Sequence, residues 1–316
     1  MATVETVRGP VDAGALGRTL MHEHVFVLDP EALQNYGHAF GPAYWDEEAR
    51  VADAIAKLRA VAAAGIGTIV DPTVVGLGRC IPRLQRINAE VDLNIVVATG
   101  LYAFMELPQF YRYRSVDQLA ELFVRDLREG IDDTGVRAAF LKCPIEELGL
   151  VGDVPTIVAA IAAASRETGA PVMVHTNAAA RTGLLAVEAF AREGVDLSRV
   201  VVAHVGDSND LGYIREIAAS GASLGCDRFG IEHFNPLERR IETLLALLAE
   251  GYADRIHIGH DAACFFDFFV GDEKFAGERP DYLLVSRTVL PALLEAGVTQ
   301  EQVDAMLIDN PRRFFS

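Results

Sequence analysis

The feature that most narrows the fold is an eightfold alternation of short apolar runs with longer segments of helical spacing. The runs are Leu20–Val27, Thr68–Asp71, Asn94–Thr99, Ala138–Lys142, Pro171–His175, Val200–His204, Ala222–Cys226 and Ile256–Asp261. A half-solvated strand alternates polar and apolar residues, whereas these runs are nearly continuous, as expected of a parallel sheet covered by helices on its faces. Helical segments are predicted over 45–64, 79–91, 116–130, 154–168, 184–193, 211–220 and 237–250. In the first of them Val51, Ile55, Leu58 and Ala62 recur at the helical period and Gly65 ends it. Eight strand–helix units close most naturally into a (β/α)8 barrel, the TIM-barrel form of the α/β class. A doubly wound open sheet is the alternative, but no Gly-rich phosphate turn follows the first strand. Residues 1–17 read as a small hairpin, 29–44 as a loop, and 282–316 as two or three helices with Pro291 and Pro311 near helix starts. With 51% hydrophobic residues and no linker-like stretch, 1–316 is expected to form one domain.

Charge and cysteine usage remove several classes of function. The formal net charge of -17 and the lack of a basic run disfavour nucleic acid and anionic membrane surfaces as partners. No uncharged apolar run approaches the roughly 20 residues of a membrane helix. Cys80, Cys143, Cys226 and Cys264 show no CxxC spacing, and residues 1–8 lack the apolar core of a signal peptide. A soluble, cytoplasmic protein is the expectation.

Ligand-type residues gather where the strands are predicted to end. On a strand His22 and His24 face one side while Met21, Glu23 and Val25 face the other, so two imidazoles converge as a pair able to grip a divalent ion. His175, His204 and Asp261 close the fifth, sixth and eighth runs and Lys142 closes the fourth. In a (β/α)8 barrel all these ends lie at one rim, where such enzymes keep their active sites. Each residue also has a plainer reading. A histidine in an apolar strand is often a satisfied core residue, and an Asp after a strand is often a helix N-cap. Lys142 either pairs with Glu146 or Glu147 or carries its stem to solvent, or it is buried as a neutral amine that can take up carbon dioxide as a carbamate.

Together, His22-x-His24, Lys142, His175, His204 and Asp261, with Gly100-Leu101-Tyr102 and Cys226-Asp227-Arg228-Phe229-Gly230, resemble the phosphotriesterase family of the amidohydrolase superfamily, and within it the phosphotriesterase-like lactonases. The resemblance spans nearly the whole chain. It implies a binuclear centre of two divalent metal ions, zinc foremost and cobalt, manganese, iron or nickel as alternatives. His22, His24 and Asp261 would hold one ion and His175 and His204 the other, with N6-carboxylated Lys142 and a hydroxide bridging them. Asp261 would then also act as the base that receives the hydroxide's proton.

The resemblance further implies that the Tyr102 phenol points toward the metal bridge and the substrate oxygen. It places Arg228 where the paraoxon-hydrolysing members carry a histidine that relays protons to an Asp, matched here by Asp207. The arginine is shared with the lactonases, which favours a lactone over a phosphotriester as the principal substrate; a principal phosphotriesterase, another phosphoester hydrolase and a non-catalytic metal-stabilised binding protein are the alternatives. Without the resemblance, Asp227-Arg228 reads as a local loop ion pair. The segment after the eighth strand, 262–280, holds Cys264, Phe265, Phe266, Phe268, Phe269 and Phe275. An apolar mouth of this kind suits an acyl chain, with Cys264 and Phe268 as candidate substrate contacts and an N-acyl homoserine lactone as a fitting substrate. The same phenylalanines suit ordinary core packing or the buried face of a homodimer, the expected assembly. His38, His233, His257 and His260 are left out of the predicted site.

Overall fold

The structure is a computed structural model that describes residues 2–42, 44–268 and 281–316. The chain opens with a two-stranded antiparallel hairpin, β1 (Thr3–Val4) and β2 (Val11–Asp12). The barrel then runs through β3 (Thr19–Leu20), β4 (Glu23–Val27), α1 (Pro30–Phe40), α2 (Glu47–Ala63), β5 (Thr68–Asp71), α3 (Ile81–Asn88), β6 (Asn94–Gly100), α4 (Gln109–Arg112), α5 (Val116–Arg128) and β7 (Phe140–Ile145). It continues with α6 (Val154–Thr168), β8 (Val172–Thr176), α7 (Thr182–Arg192), β9 (Val200–Val202), α8 (Leu211–Ala219), β10 (Ser223–Cys226), α9 (Leu237–Ala249), β11 (Ile256–Ile258) and β12 (Ala262–Phe266). Eight parallel strands form one sheet in the order β11-β10-β9-β8-β7-β6-β5-β3, as the alternation predicted.

Closure happens where the first and last runs break. Leu20 pairs with Ile69 of β5, but after Met21 and His22 the chain changes partner, and Glu23–Val27 pairs in parallel with Ala262–Phe266. The Met21 amide donates to Ile258 O at 2.8 Å and the Asp261 amide to His22 O at 2.9 Å, joining the two edges. The predicted continuous strands Leu20–Val27 and Ile256–Asp261 are therefore each interrupted, and the predicted loop after the eighth strand begins as β12. Phe269 and Phe275 lie outside the described residues.

Two apolar layers follow from the period-two alternation of side chains. One lies between strands and helices and includes Leu141, Cys143 and Val174, with Leu119, Phe123 and Ile157 on the helix side. The other fills the barrel with Val70, Val96, Ala98, Phe140, Met173 and Val201, and its floor is made by Val4 and Leu16 with Phe314 and Phe315. The interior is thus packed from below, as in other barrels of this kind. Inward positions one step further along each strand are free to carry polar groups: Lys142 follows Phe140 by two residues, and His175 follows Met173 by two.

Two further expectations are corrected. The 29–44 loop contains an 11-residue helix, α1, capped by the Asp29 carboxylate on the Ala32 amide. Lys142 does not end its strand, which runs on to Ile145 through Pro144. Since β6 stops at Gly100, level with Lys142, Pro144 falls where a missing N–H is tolerated. Pro291 and Pro311 lie in the first turn of the helices Leu290–Glu295 and Asn310–Phe315, as expected, each directly after a π-turn, over Val285–Val289 and Ala305–Asp309. Among the described residues, no helix is long and apolar enough to cross a membrane.

Candidate metal centre and active site

The candidate site lies over the inner apolar layer. His22 occupies the break in the first strand, His24 lies on β4, Lys142 on β7 and His175 on β8. His204 and Asp261 take left-handed backbone conformations, with φ of 69° and 54°. Such a conformation costs a non-glycine residue roughly 1–2 kcal/mol. Gly100 has the opposite role: at φ 139° it lets β6 approach β7, since a Cβ there would lie 2.0 Å from Lys142 O.

Hydrogen bonds assign the imidazole tautomers. His22 Nδ1 lies 2.8 Å from Asp227 Oδ2, and His204 Nδ1 lies 2.9 Å from Asp227 Oδ1. Each ring therefore donates through Nδ1 and presents a bare Nε2. His24 Nδ1 donates to Thr73 Oγ1 at 2.7 Å, and the Thr73 hydroxyl in turn donates to Asp71, which is itself buried. His175 is the reverse case: its Nε2 lies 3.1 Å from Glu146 Oε1, leaving Nδ1 bare.

The bare atoms face one another. His22 Nε2 and His24 Nε2 lie 3.4 and 3.2 Å from Asp261 Oδ1. Ligands about 2.0–2.1 Å from a tetrahedral zinc ion are themselves about 3.3 Å apart, so these spacings suit one shared ion. His204 Nε2 and His175 Nδ1 are 3.0 Å apart. Two imidazole lone pairs at that distance repel unless a cation lies between them. His22, His204 and Asp261 also form a compact group, with ligand atoms within 4.8 Å of one another. The donor chemistry therefore fits metal ions.

Burial and charge keep the donors in their metal-binding forms. Burial lowers the His22 pKa to about 4, with nearby Lys142 adding to the effect, and burial likewise depresses His175 and His204. Burial alone would raise Asp261, but His22 and Arg228 hold it well below the usual carboxylate range. Lys142, 1% exposed and with Nζ 3.5 Å from His22 Nε2, is lowered to about 8 by burial. It pairs with neither acid suggested by the sequence. Glu146 instead accepts from His175 and from the Tyr102 hydroxyl.

Arg228 spans two acids. Its Nε donates to Asp261 Oδ2 at 2.8 Å and its Nη1 to Asp207 Oδ2 at 3.0 Å. The opposite oxygen of Asp207 is 2.6 Å from Nη1 of buried Arg240, a residue the sequence did not single out. The Tyr102 hydroxyl lies 3.4 Å from His175 Nε2, the ring nitrogen on the side of Glu146, with exposed Phe104 packed on the Tyr102 ring. Phe234, half exposed, lies 4.8 Å from the Arg228 guanidinium carbon. Phe268 packs on Phe266 beside the inner layer. Cys264 does not join them: it is buried in the layer under the helices, its sulfur 3.2 Å from the Tyr282 hydroxyl. His260 is also away from the donors, where its Nδ1 meets Glu23 at 2.6 Å. His257 packs against Phe314 of the barrel floor.

Asp227 and Glu146, both of which touch predicted ligands, do not stand out in the sequence. Asp227 is separated from its imidazole partners by 205 and 23 residues, so sequence spacing carried no signal.

A closed (β/α)8 barrel with imidazole and carboxylate donors converging over its core defines a metal-dependent hydrolase. The chain belongs to the phosphotriesterase family, whose model matches residues 2–315. It is 46% identical to the phosphotriesterase homology protein of Mycobacterium tuberculosis, over 100% of this chain and 98% of that protein. It is 35% identical to an aryldialkylphosphatase of Saccharolobus solfataricus, over 97% of each. Similarity extends at 27% identity to an N-acetyltaurine hydrolase of Danio rerio, over 99% of this chain and 97% of the relative. The solved structure of the phosphotriesterase from Mycobacterium tuberculosis matches with a TM-score of 0.94 and 46% identity, over 99% of this chain and 98% of that one.

Proposed function

We propose that this protein opens lactones and hydrolyses organophosphate triesters more slowly, with two divalent ions at the centre. His22, His24 and Asp261 would hold one ion and His175 and His204 the other, and a Lys142 carbamate would reach both. When bound, such ions lower the pKa of water and polarise the substrate oxygen. The nitrogen-rich donor set suits zinc and also accepts cobalt, manganese, iron or nickel. A lysine with a pKa of about 8 is roughly one-tenth neutral at pH 7, which supplies the free amine that adds to carbon dioxide with loss of one proton.

The observation that carries the substrate choice is Arg228 held between Asp261 and Asp207. Asp261 accepts the proton lost by the attacking water. Arg228 cannot pass that proton outward, because a guanidinium has no acceptor site and does not deprotonate in a protein; its two carboxylate partners raise its pKa further, against the effect of burial. The proton therefore remains on Asp261, available to the leaving group. An alkoxide expelled from a lactone is a strong base and needs it, as does the nitrogen of an amide, whereas an aryloxide leaving a phosphotriester does not. Phe104 on the Tyr102 ring and Phe234 beside the Arg228 guanidinium offer apolar surface for an acyl substituent.

The test is a panel of γ- and δ-lactones of graded acyl length beside paraoxon, assayed on protein of measured metal content. The best lactone is expected to exceed paraoxon by about 10²-fold or more in kcat/KM, the scale of an acid–base contribution. Faster paraoxon hydrolysis would overturn the preference.

A further inference from the structure

Asp227 is a fully buried carboxylate that faces the outer side of the donor cluster. Oδ2 accepts from His22 Nδ1 at 2.8 Å, while Oδ1 accepts from His204 Nδ1 at 2.9 Å and from the His204 amide at 2.8 Å. Room for the carboxylate is made by Gly225, where a Cβ would sit 2.7 Å from Asp227 Oδ2. The shortest donor contacts join His22 and His24 to Asp261 Oδ1 and His175 to His204, and the ligand atoms of His22, His204 and Asp261 also lie within 4.8 Å of one another. Asp227 holds one imidazole from each of the two sets of short contacts.

We infer that Asp227 is a positioning residue shared by the two ion positions, fixing His22 and His204 in the Nδ1–H tautomer so that both present Nε2 to metal. The inference rests on the metal reading above. Outer partners of this kind are worth about 10- to 100-fold in metal affinity, and here one carboxylate serves two ligands.

The two oxygens are not equivalent, so an amide discriminates between them. In Asp227→Asn the side-chain oxygen is drawn to the Oδ1 position, where the His204 amide and Nδ1–H both donate. The amide nitrogen then faces His22 Nδ1, and two donors oppose each other. His22 must move its proton to Nε2, the atom it presents to metal, whereas His204 is unaffected.

Metal-free wild-type and D227N proteins are titrated with zinc, ions bound per chain are counted at equilibrium, and imidazole nitrogen NMR spectra are followed. Wild type is expected to bind two ions. D227N is expected to bind one ion at wild-type affinity, perturbing His175 and His204, and a second about 10- to 100-fold more weakly. Two ions at wild-type affinity in D227N, or weakening confined to the His175–His204 position, overturns the shared role alone; weakening of both positions upholds it. Wild type that binds no zinc overturns the metal reading and the shared role together. If D227N does not fold, the spectra of metal-free wild type still decide: Nδ1–H on both His22 and His204 supports the inference, and Nε2–H on either ring overturns it.

Discussion

Asp261→Asn lowers lactone turnover by about 10³-fold and leaves the fold intact, within the range of a lost acid–base group. The substitution is close to isosteric. Asp261 sits at φ 54°, a conformation that Asn tolerates nearly as well, so the backbone need not move. The Asn oxygen can still accept from Arg228 Nε. What disappears is the negative charge facing His22 and His24 and the capacity to hold a proton for the leaving group. Steady-state kinetics and a thermal melt on the same preparations check both halves of the expectation. Wild-type turnover in D261N would remove Asp261 as base.

Lys142→Met separates packing from chemistry. Met keeps most of the aliphatic stem in the buried site, so a cavity is avoided. Met also removes an amine that burial disfavours in its charged form. The metal-free variant is therefore expected to melt no lower than metal-free wild type. Without the carbamate, metal content and turnover fall together, turnover by about 10²-fold or more. Elemental analysis and kinetics across a bicarbonate series check this, because wild type gains from bicarbonate during metal reconstitution and K142M does not. Full turnover in K142M would show that the lysine carries no ligand.

Much of the architecture was legible because burial on both faces leaves a direct mark. Runs such as Val200-Val201-Val202 and Asn94-Ile95-Val96-Val97 suit few settings other than a covered parallel sheet. The α1 helix left a fainter mark: Leu33, Tyr36 and Phe40 recur at helical spacing behind the Asp29 cap, but none of its residues is buried and Pro30 and Gly37 read as loop signals. The strand breaks were hidden for a different reason. A change of partner between Leu20 and Glu23 depends on which strands are adjacent at closure, a tertiary fact absent from local pattern.

At the site, residue types at predicted strand ends pointed to His175, His204 and Asp261, but the left-handed turns of the latter two had no local signature such as Gly or Asn. Cys264 was misplaced because the loop assigned to it is a strand, and its side chain falls in the layer under the helices. Partners such as Asp227 and Glu146 act through contacts between distant segments. Their types were visible in the sequence, and their partners were not.

The most direct test of the central claim is to titrate the metal-free protein with a divalent ion and measure ions bound and lactone turnover on the same samples. The proposed centre predicts no turnover without metal and activity that rises as the chain fills to two ions. Full turnover in chelated protein shown by elemental analysis to hold no metal would contradict it.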